Sequence, residues 1–176
     1  MANKKLKFNS RTIHGGQQPD KAFGAVMPPV YLTSTYAQTK PGEHLGYEYS
    51  RSHNPTRSAL EASLTSIESG KHGLTFASGM AAIDAVIKLL QPGDEVISTN
   101  DLYGGTYRLF NKVFALYGIT FHFVPMGDIT QVEKHINTNT KLLWVETPTN
   151  PLMQVIDIKA MAALANTHKL LLAVDN

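Results

Sequence analysis

A short apolar segment that runs into a Ser-Gly pair is the first feature of this sequence that indicates chemistry. Thr75-Phe76-Ala77 leads into Ser78-Gly79-Met80, and apolar residues from Met80 to Leu90 recur at helical spacing, which predicts strand, tight turn and helix. The first N–H groups of a helix lack internal acceptors, and a glycine lets an anion approach the backbone. The turn is therefore a candidate phosphate site, although an ordinary strand-to-helix turn has the same pattern.

Polar side chains follow the other predicted strands. Ligands of open α/β sheets bind beyond the carboxyl ends of the strands, where Tyr103, Glu146, Asn150 and Asp175 occur. Asp175 can hold a ring nitrogen protonated, Tyr103 can stack on a ring, and Asn150 can donate to a ring oxygen. With the phosphate turn, they predict a site for a flat, charged heteroaromatic phosphate. Each has a structural alternative: a helix cap for Asp175, packing for Tyr103 and turn formation for Asn150.

The composition argues against several other functions. The 176 residues are 43% hydrophobic and 17% charged, with a net charge of +2 and no cysteine. This balance is typical of a globular domain, and it provides neither thiolate chemistry nor a basic cluster for nucleic acid. No stretch has the length and apolar character of a membrane span or signal peptide, so we expect a cytoplasmic protein that does not bind membranes. The histidines lack metal-ligand spacing, and no metal site is expected.

From Asn54 onward the sequence predicts alternating helices and strands. Helices are expected from Asn54 to Gly70, after Ser78, over residues 107–117, from Asp128, and over 157–168. In the helix at 107–117, the apolar face is expected to contain Leu109, Val113 and Leu116. The predicted strands cover residues 74–77, 95–98, 120–124, 141–145 and 169–174. This alternation with short connections predicts an α/β fold with a mainly parallel sheet covered by helices on both faces.

Residues 1–53 lack such periodicity and are predicted to form an extended N-terminal arm, with residues 54–176 as the first part of the ligand-binding domain. A segment of this length without periodic elements does not form a compact domain alone. Four tyrosines within residues 26–51 indicate a surface that packs, and we expect it to pack on another subunit. The alternative, a flexible arm that packs on nothing, fits residues 1–20 better.

Five motifs in this order resemble the cysteine and methionine metabolism family of pyridoxal-phosphate enzymes, which includes cystathionine γ-synthase, γ-lyase and β-lyase, methionine γ-lyase and the O-acylhomoserine sulfhydrylases. The resemblance runs from about residue 9 to Asn176. It implies the large domain of a fold-type-I transferase and pyridoxal phosphate as cofactor. The motifs are Tyr47-Glu48-Tyr49-Ser50-Arg51-Ser52-His53-Asn54-Pro55-Thr56-Arg57, Phe76-Ala77-Ser78-Gly79-Met80-Ala81-Ala82, Asp101-Leu102-Tyr103-Gly104-Gly105-Thr106, Val145-Glu146-Thr147-Pro148-Thr149-Asn150-Pro151 and Val174-Asp175-Asn176.

The resemblance implies roles for residues of the predicted sheet. Gly79 and Met80 would offer backbone N–H groups to the cofactor phosphate, and Tyr103 would stack on the pyridine ring as the catalytic residue of this chain. Asp175 would pair with the ring nitrogen. Asn150 would lie near the ring oxygen and the substrate carboxylate. Glu146 is interpreted as a supporting residue.

The resemblance also implies roles in the arm. Tyr49 and Arg51 would reach the phosphate of the neighbouring subunit, in a homotetramer built from dimers with shared active sites. Glu48 resembles the glutamate that faces the distal ammonium of cystathionine. Methionine γ-lyases carry a cysteine at the position of Gly105, so this resemblance does not favour a methionine γ-lyase.

Part of the family pattern lies outside this sequence. The cofactor-binding lysine follows Val174-Asp175-Asn176 in a Ser-x-Thr-Lys motif, and a C-terminal domain supplies an arginine for the substrate carboxylate. The sequence is therefore interpreted as a piece of a longer protein, and the 176 residues alone are expected to be inactive.

For the full-length protein, the resemblance implies an enzyme of transsulfuration that acts on an amino acid. It would eliminate or replace a group at the γ carbon of cystathionine or an O-acylhomoserine, as cystathionine γ-lyase or γ-synthase does. The alternatives are a cystathionine β-lyase or an O-acylhomoserine sulfhydrylase and, in another class, a non-catalytic assembly or regulatory fragment. A dinucleotide-binding domain is disfavoured, because Ser78-Gly79-Met80 lacks a Gly-x-Gly-x-x-Gly turn.

Overall fold

A computed structural model describes residues 6–176 of the chain. The chain forms two compact units that divide between Phe76 and Ala77, and each is described by itself. The division falls later in the sequence than the predicted boundary at residue 53, so the assignment of residues 54–76 to the ligand-binding domain stays a prediction. No helix within residues 6–176 has the length and apolar character needed to cross a membrane.

The first unit consists of two helices and a small antiparallel hairpin. Its elements are α1 (Phe8–His14), β1 (Gln38–Lys40), β2 (Glu43–His44) and α2 (Pro55–Ile67). Helix α2 begins after Asn54, as predicted. The Asn54 side chain caps the helix by accepting the N–H of Thr56 at 2.8 Å, and Pro55 takes the first helical position.

The N-terminal segment packs on α2, contrary to the interpretation of residues 1–20 as a flexible arm. Arg11 of α1 donates to the carbonyl of Ser66 at 2.8 Å and to the hydroxyl of Ser69 at 2.6 Å. The close approach needs a bare α carbon at Gly16, where a Cβ would lie 2.2 Å from the backbone of Ala62. Residues 1–5 of the predicted arm lie outside the described residues.

The second unit alternates strands and helices as predicted. Its elements are α3 (Gly79–Ile87), β3 (Glu95–Thr99), α4 (Gly104–Lys112), a 3-10 turn (Phe114–Tyr117), β4 (Thr120–Val124), α5 (Ile129–Lys134), β5 (Thr140–Glu146), α6 (Ile158–His168) and β6 (Leu171–Asp175). The four strands pair in the order β4-β3-β5-β6, and all neighbours are parallel. Their carboxyl ends therefore meet at one edge of the sheet, which confirms the α/β fold.

Apolar helices cover both faces of this sheet, as predicted. Side chains alternate between faces along a strand, so Trp144 and Val145 of β5 belong to different clusters. One cluster contains Trp144 and residues of α3 and α4, including Ile87 and Phe110. The other contains Val145 and residues of α5 and α6, including Met161. The sheet that carries the strand ends is thus packed between two layers of helices.

The predicted strand at residues 74–77 is wrong. These residues adopt no regular structure, and Leu74 and Phe76 are 76% and 47% exposed. A strand needs a hydrogen-bonded neighbour, and no strand within residues 6–176 pairs with this segment. Its apolar composition alone therefore does not produce a strand here.

The predicted apolar face of α4 is partly wrong, because only Leu109 of its three residues packs against the core. The helix begins at Gly104 rather than at residue 107, and Val113 and Leu116 are 40% and 83% exposed. Phe110 is buried instead, with its ring stacked 4.4 Å from that of Phe121. Burial of the larger aromatic ring determines which face of α4 packs on the sheet.

Candidate functional site

The carboxyl edge of the sheet borders a cavity of about 740 Å³ within the second unit. Five residues predicted for ligand binding line this cavity, together with one carboxylate that was assigned a supporting role. They are Gly79, Met80, Tyr103, Asn150, Asp175 and Glu146. The rule that ligands bind beyond the strand ends therefore brings the predicted residues to one place.

The start of α3 forms the part of the cavity that suits an anion. Ser78 caps the helix, with its hydroxyl accepting the N–H of Ala81 at 3.2 Å. The N–H groups of Gly79 and Met80 donate no hydrogen bond to any group within residues 6–176. An added Cβ at Gly79 would meet no atom within 4 Å, so the approach to these N–H groups is open. Two free N–H donors at the positive end of a helix dipole have the arrangement that binds a phosphate.

Tyr103 lies at the start of α4 and is 47% exposed. Its backbone is held on both sides: the N–H donates to the two carboxylate oxygens of Glu146 at 3.1 and 2.9 Å, and the carbonyl accepts the N–H of Tyr107 at 3.1 Å. A fixed backbone with an exposed aromatic ring at the cavity is the arrangement that ring stacking needs.

Glu146, at the end of β5, is a buried carboxylate that sequence reasoning assigned only a supporting role. Its burial raises the pKa of this carboxyl, the N–H of Tyr103 lowers it, and the charges of Asp175 and Asp101 raise it further. The side chain is satisfied by the backbone of Tyr103 and thereby joins the end of β5 to the start of α4. An acidic residue directly after a buried strand was the signal for this contact.

Asp175 is the neighbour of Glu146 in the sheet, where the two residues are register partners on β6 and β5. Burial raises the pKa of the Asp175 carboxyl. No donor within residues 6–176 hydrogen-bonds to this carboxylate. A partly buried carboxylate without a donor favours a cationic partner, and a protonated ring nitrogen supplies one.

Asn150 lies on the loop that follows β5, and Asp101, two residues after β3, organises this loop. The Asp101 carboxylate accepts the hydroxyl of Thr149 and, at 3.0 Å, the N–H of Leu152. Thr149 in turn accepts the N–H of Gln154 at 2.9 Å. Sequence reasoning missed this role of Asp101, because its partners Thr149 and Leu152 lie 48 and 51 residues away in the sequence, so no local pattern indicates the contact.

Glu48, Tyr49 and Arg51 belong to the first unit. The guanidinium carbon of Arg51 lies 5.1 Å from the centre of the Tyr49 ring, so these two predicted phosphate ligands are neighbours. The carbonyl of Glu48 accepts the N–H of Tyr36 at 3.1 Å. The predicted roles of the three side chains stay predictions.

No group of three His, Asp or Glu side chains within residues 6–176 has the arrangement of a metal site. The polar groups of the cavity are instead free N–H donors, an exposed aromatic ring, a primary amide and a partly buried carboxylate. This set suits one ligand that carries a phosphate, a flat ring and a basic nitrogen.

Known proteins resemble this chain over nearly all of its length. It is 49% identical over 175 residues to a cystathionine beta-lyase of Coxiella burnetii, 48% identical over 169 residues to a probable cystathionine gamma-synthase of Herpetosiphon aurantiacus, and 51% identical over 171 residues to a cystathionine gamma-lyase of Bacillus subtilis. These matches cover 99%, 96% and 97% of the chain but 45%, 53% and 45% of the relatives. The chain thus spans about half the length of the curated relatives it matches.

Solved structures share its fold. The crystal structure of metB from Corynebacterium glutamicum and that of cystathionine gamma-lyase from Lactobacillus plantarum, complexed with L-serine, both match with a TM-score of 0.93, at 43% and 47% identity. Each match covers 97% of this chain and 45% of the solved one. The family model for Cys/Met metabolism PLP-dependent enzymes matches residues 9–176. The chain therefore belongs to the family of Cys/Met metabolism PLP-dependent enzymes.

Proposed function

We propose that the whole protein is a transsulfuration enzyme that uses pyridoxal phosphate to eliminate or replace a group at the γ carbon of cystathionine or an O-acylhomoserine, as a cystathionine γ-lyase or γ-synthase. The observation that carries the proposal is the convergence of Gly79, Met80, Tyr103, Asn150 and Asp175 on one cavity. Relatives with both names match nearly the whole chain at 48% and 51% identity.

The residues present fit the cofactor. The free N–H groups of Gly79 and Met80 would bind its phosphate, the ring of Tyr103 would stack on the pyridine, and Asp175 would hold the ring nitrogen protonated. When bound, the cofactor supplies an electron sink for the carbanion formed at the substrate α carbon. Asp175 supports this role, because a carboxylate beside the nitrogen stabilises the protonated, electron-withdrawing ring.

The remaining side chains would orient the reactants. Asn150 would donate to the ring oxygen and to the substrate carboxylate from a loop that Asp101 holds in place. Glu146 would keep Tyr103 over the cavity by accepting its N–H. Orientation of this kind contributes strongly to rate, because a small misplacement of the reacting groups raises the barrier.

The products formed from cystathionine test the proposal. γ-Elimination releases cysteine, 2-oxobutanoate and ammonia, whereas β-elimination releases homocysteine, pyruvate and ammonia. We expect the whole protein with pyridoxal phosphate to give the first set, or to join cysteine to an O-acylhomoserine. A whole protein that neither retains pyridoxal phosphate nor turns over these amino acids would refute the proposal.

A second candidate is cystathionine β-lyase, which the 49% identity to the Coxiella burnetii relative supports. It uses the same cofactor and substrate but breaks the bond at the β carbon. The same product analysis separates the two candidates, since pyruvate with homocysteine would assign the β-lyase.

Glu48 is proposed to select cystathionine over methionine by facing the distal ammonium of cystathionine. A carboxylate gives this ammonium a charge-assisted contact that methionine lacks, so Glu48→Ala should lower the preference for cystathionine about tenfold. The measurement is kcat/KM for both amino acids. Glu43→Ala removes another carboxylate of the first unit and serves as the control. An unchanged ratio in Glu48→Ala would show that the preference is set elsewhere.

A further inference from the structure

Two carboxylates lie side by side at the edge of the sheet that borders the cavity. Glu146 ends β5 and Asp175 ends β6, and the two residues are register partners in this parallel pair of strands. Side chains of register partners point to the same face of a sheet, whose neighbouring strands lie about 4.8 Å apart. Both residues line the cavity. The part of the cavity that is proposed to hold the ring nitrogen therefore has two acidic side chains rather than one.

The hydrogen bonds of Glu146 leave its negative charge uncompensated. Its two carboxylate oxygens accept the same N–H of Tyr103, at 3.1 and 2.9 Å, and this donor is neutral. The residue is only 6% exposed, so water screens the carboxylate weakly. Burial raises the pKa of the Glu146 carboxyl, the N–H of Tyr103 lowers it, and the charge of Asp175 raises it further. A cation beside Asp175 would favour the ionised form of both carboxylates.

We infer that Glu146 acts through its charge as well as through its hydrogen bond: a second carboxylate beside Asp175 strengthens the binding of a cofactor whose ring nitrogen is protonated. The attraction is reciprocal, because the carboxylates stabilise the cation and the cation stabilises the carboxylates. The inference rests on the proposed function, since it takes pyridoxal phosphate as the ligand of the cavity. It adds an electrostatic role to a side chain that holds the backbone of Tyr103.

A cofactor analogue with a C–H group in place of the ring nitrogen separates the two roles of Glu146. This deaza analogue keeps the phosphate, the aldehyde and the flat ring, but its ring cannot carry a proton. A displaced Tyr103 ring would weaken the binding of both ligands, because both stack on it. A lost negative charge would weaken the binding of pyridoxal phosphate alone. The ratio of the two dissociation constants, measured for the whole protein after cofactor removal, therefore reports the charge.

Glu146→Gln removes the charge and keeps an oxygen that can accept the N–H of Tyr103. It should weaken the binding of pyridoxal phosphate about tenfold and that of the deaza analogue less than about threefold. Glu146→Asp keeps the charge, so the ratio of the two constants should stay within about threefold of the wild-type ratio, even if both ligands bind more weakly.

Glu133→Gln is the matched control, because it removes one carboxylate of the second unit outside the cavity. Glu133 lies on α5 and contacts His168 of α6 at 3.4 Å. This pair is exposed enough for water to screen it, with 57% of the Glu133 side chain open to solvent. The substitution should change neither dissociation constant by more than about twofold.

Each outcome decides the inference. Equal losses for the two ligands in Glu146→Gln, or no loss for either, would overturn it while the proposed function stands. A wild-type whole protein that binds no pyridoxal phosphate would overturn both. If Glu146→Gln does not fold, Glu146→Ala is compared by the same ratio, in which the effect of a displaced Tyr103 cancels. If Glu146→Ala does not fold either, Glu146 is required for folding and the inference is overturned.

Discussion

At the scale of single residues, the ionised Asp175 carboxylate lowers the stability of the cofactor-free protein, and it is proposed to bind the cofactor. One substitution should therefore raise this stability and weaken cofactor binding. Burial raises the pKa of its carboxyl above the ordinary value of 3.8. The folded state therefore loses stability as the pH rises above 3.8 and the carboxyl ionises. Asp175→Asn should raise the unfolding midpoint of the cofactor-free protein at neutral pH. It should also weaken pyridoxal phosphate binding roughly tenfold to a hundredfold by removing the partner of the ring nitrogen.

Thermal unfolding of the cofactor-free protein and cofactor titration measure the two effects of Asp175→Asn. Asp157→Asn is the matched control: Asp157 caps α6 by accepting the N–H of Ala160 at 3.0 Å, and asparagine is as good a cap. A loss of stability in Asp175→Asn at neutral pH would mean that the ionised carboxylate has a partner in the cofactor-free protein.

Sequence reasoning identified residues that line the cavity, but it did not identify the hydrogen bonds that fix their positions. Tyr103, Asn150 and Asp175 were identified because each follows a strand, and the sheet topology brings strand ends together. Two sets of hydrogen bonds were not predicted: those that Glu146 accepts from the N–H of Tyr103, and those that Asp101 accepts from the loop that carries Asn150. They join residues far apart in sequence, and no local periodicity encodes which acid meets which backbone group.

At the scale of elements, the loop after β5 depends on Asp101, which lies two residues after β3. The Asp101 carboxylate accepts one hydroxyl and one N–H from this loop, and the N–H contact measures 3.0 Å. Asp101→Ala should leave both donors without this acceptor and destabilise the loop by about 1–3 kcal/mol. We expect faster hydrogen exchange at residues 152–154 and weaker cofactor binding through Asn150.

Asp20→Ala provides the control for this substitution. The Asp20 carboxylate also accepts two hydrogen bonds, here both from backbone N–H groups, of Ala22 at 3.1 Å and Phe23 at 2.9 Å in a turn of the first unit. Its loss should change hydrogen exchange near residues 22–23 and leave residues 152–154 unchanged. Exchange at residues 152–154 that is the same in Asp101→Ala as in the wild type would show that the loop holds its conformation without this carboxylate.

The elements themselves were largely predictable, because local patterns determine most of them. Strand β4 and helix α6 lie where alternation, capping and helical spacing indicated. The wrong strand at residues 74–77 and the partly wrong face of α4 depend on long-range partners. A strand requires a neighbour, and the buried face of α4 is selected by the rings of Phe121 and Trp144, which lie on β4 and β5. Neither partner can be identified from the segment alone.

At the scale of the whole molecule, residues 26–51 of the N-terminal arm carry a group of exposed apolar side chains. Large apolar side chains there are open to solvent: Met27, Val30 and Leu32 are 76%, 71% and 95% exposed. Exposed apolar residues grouped in this way mark interaction surfaces more often than free surface. We propose that this arm packs on a neighbouring subunit of a homotetramer built from dimers, and that Arg51 completes the phosphate site of that neighbour.

Arginine at position 51 is expected to matter for its shape as well as its charge. A guanidinium can bind a phosphate through two parallel N–H groups, whereas an ammonium acts as a point charge. Arg51→Lys should therefore weaken retention of pyridoxal phosphate severalfold, and Arg51→Ala should weaken it more. Dialysis of the loaded whole protein measures retention, and Arg108→Lys, on the outer surface of α4, serves as control. Equal retention of pyridoxal phosphate in Arg51→Lys and wild type would show that Arg51 does not bind the phosphate through two N–H groups.

Reassembling Arg51→Ala subunits with Tyr103→Ala subunits tests whether the arm crosses between subunits, under conditions in which neither variant alone has measurable activity. If it does, a dimer of one Arg51→Ala and one Tyr103→Ala subunit contains one site with both native residues and one site with neither. Random reassembly makes half of the dimers mixed, so about a quarter of the wild-type activity should return. If the arm serves its own subunit, every site in the mixture carries one substitution and no activity returns. A different affinity tag on each variant allows mixed oligomers to be isolated by two successive affinity steps, so an inactive preparation of such mixed oligomers would disprove the crossing.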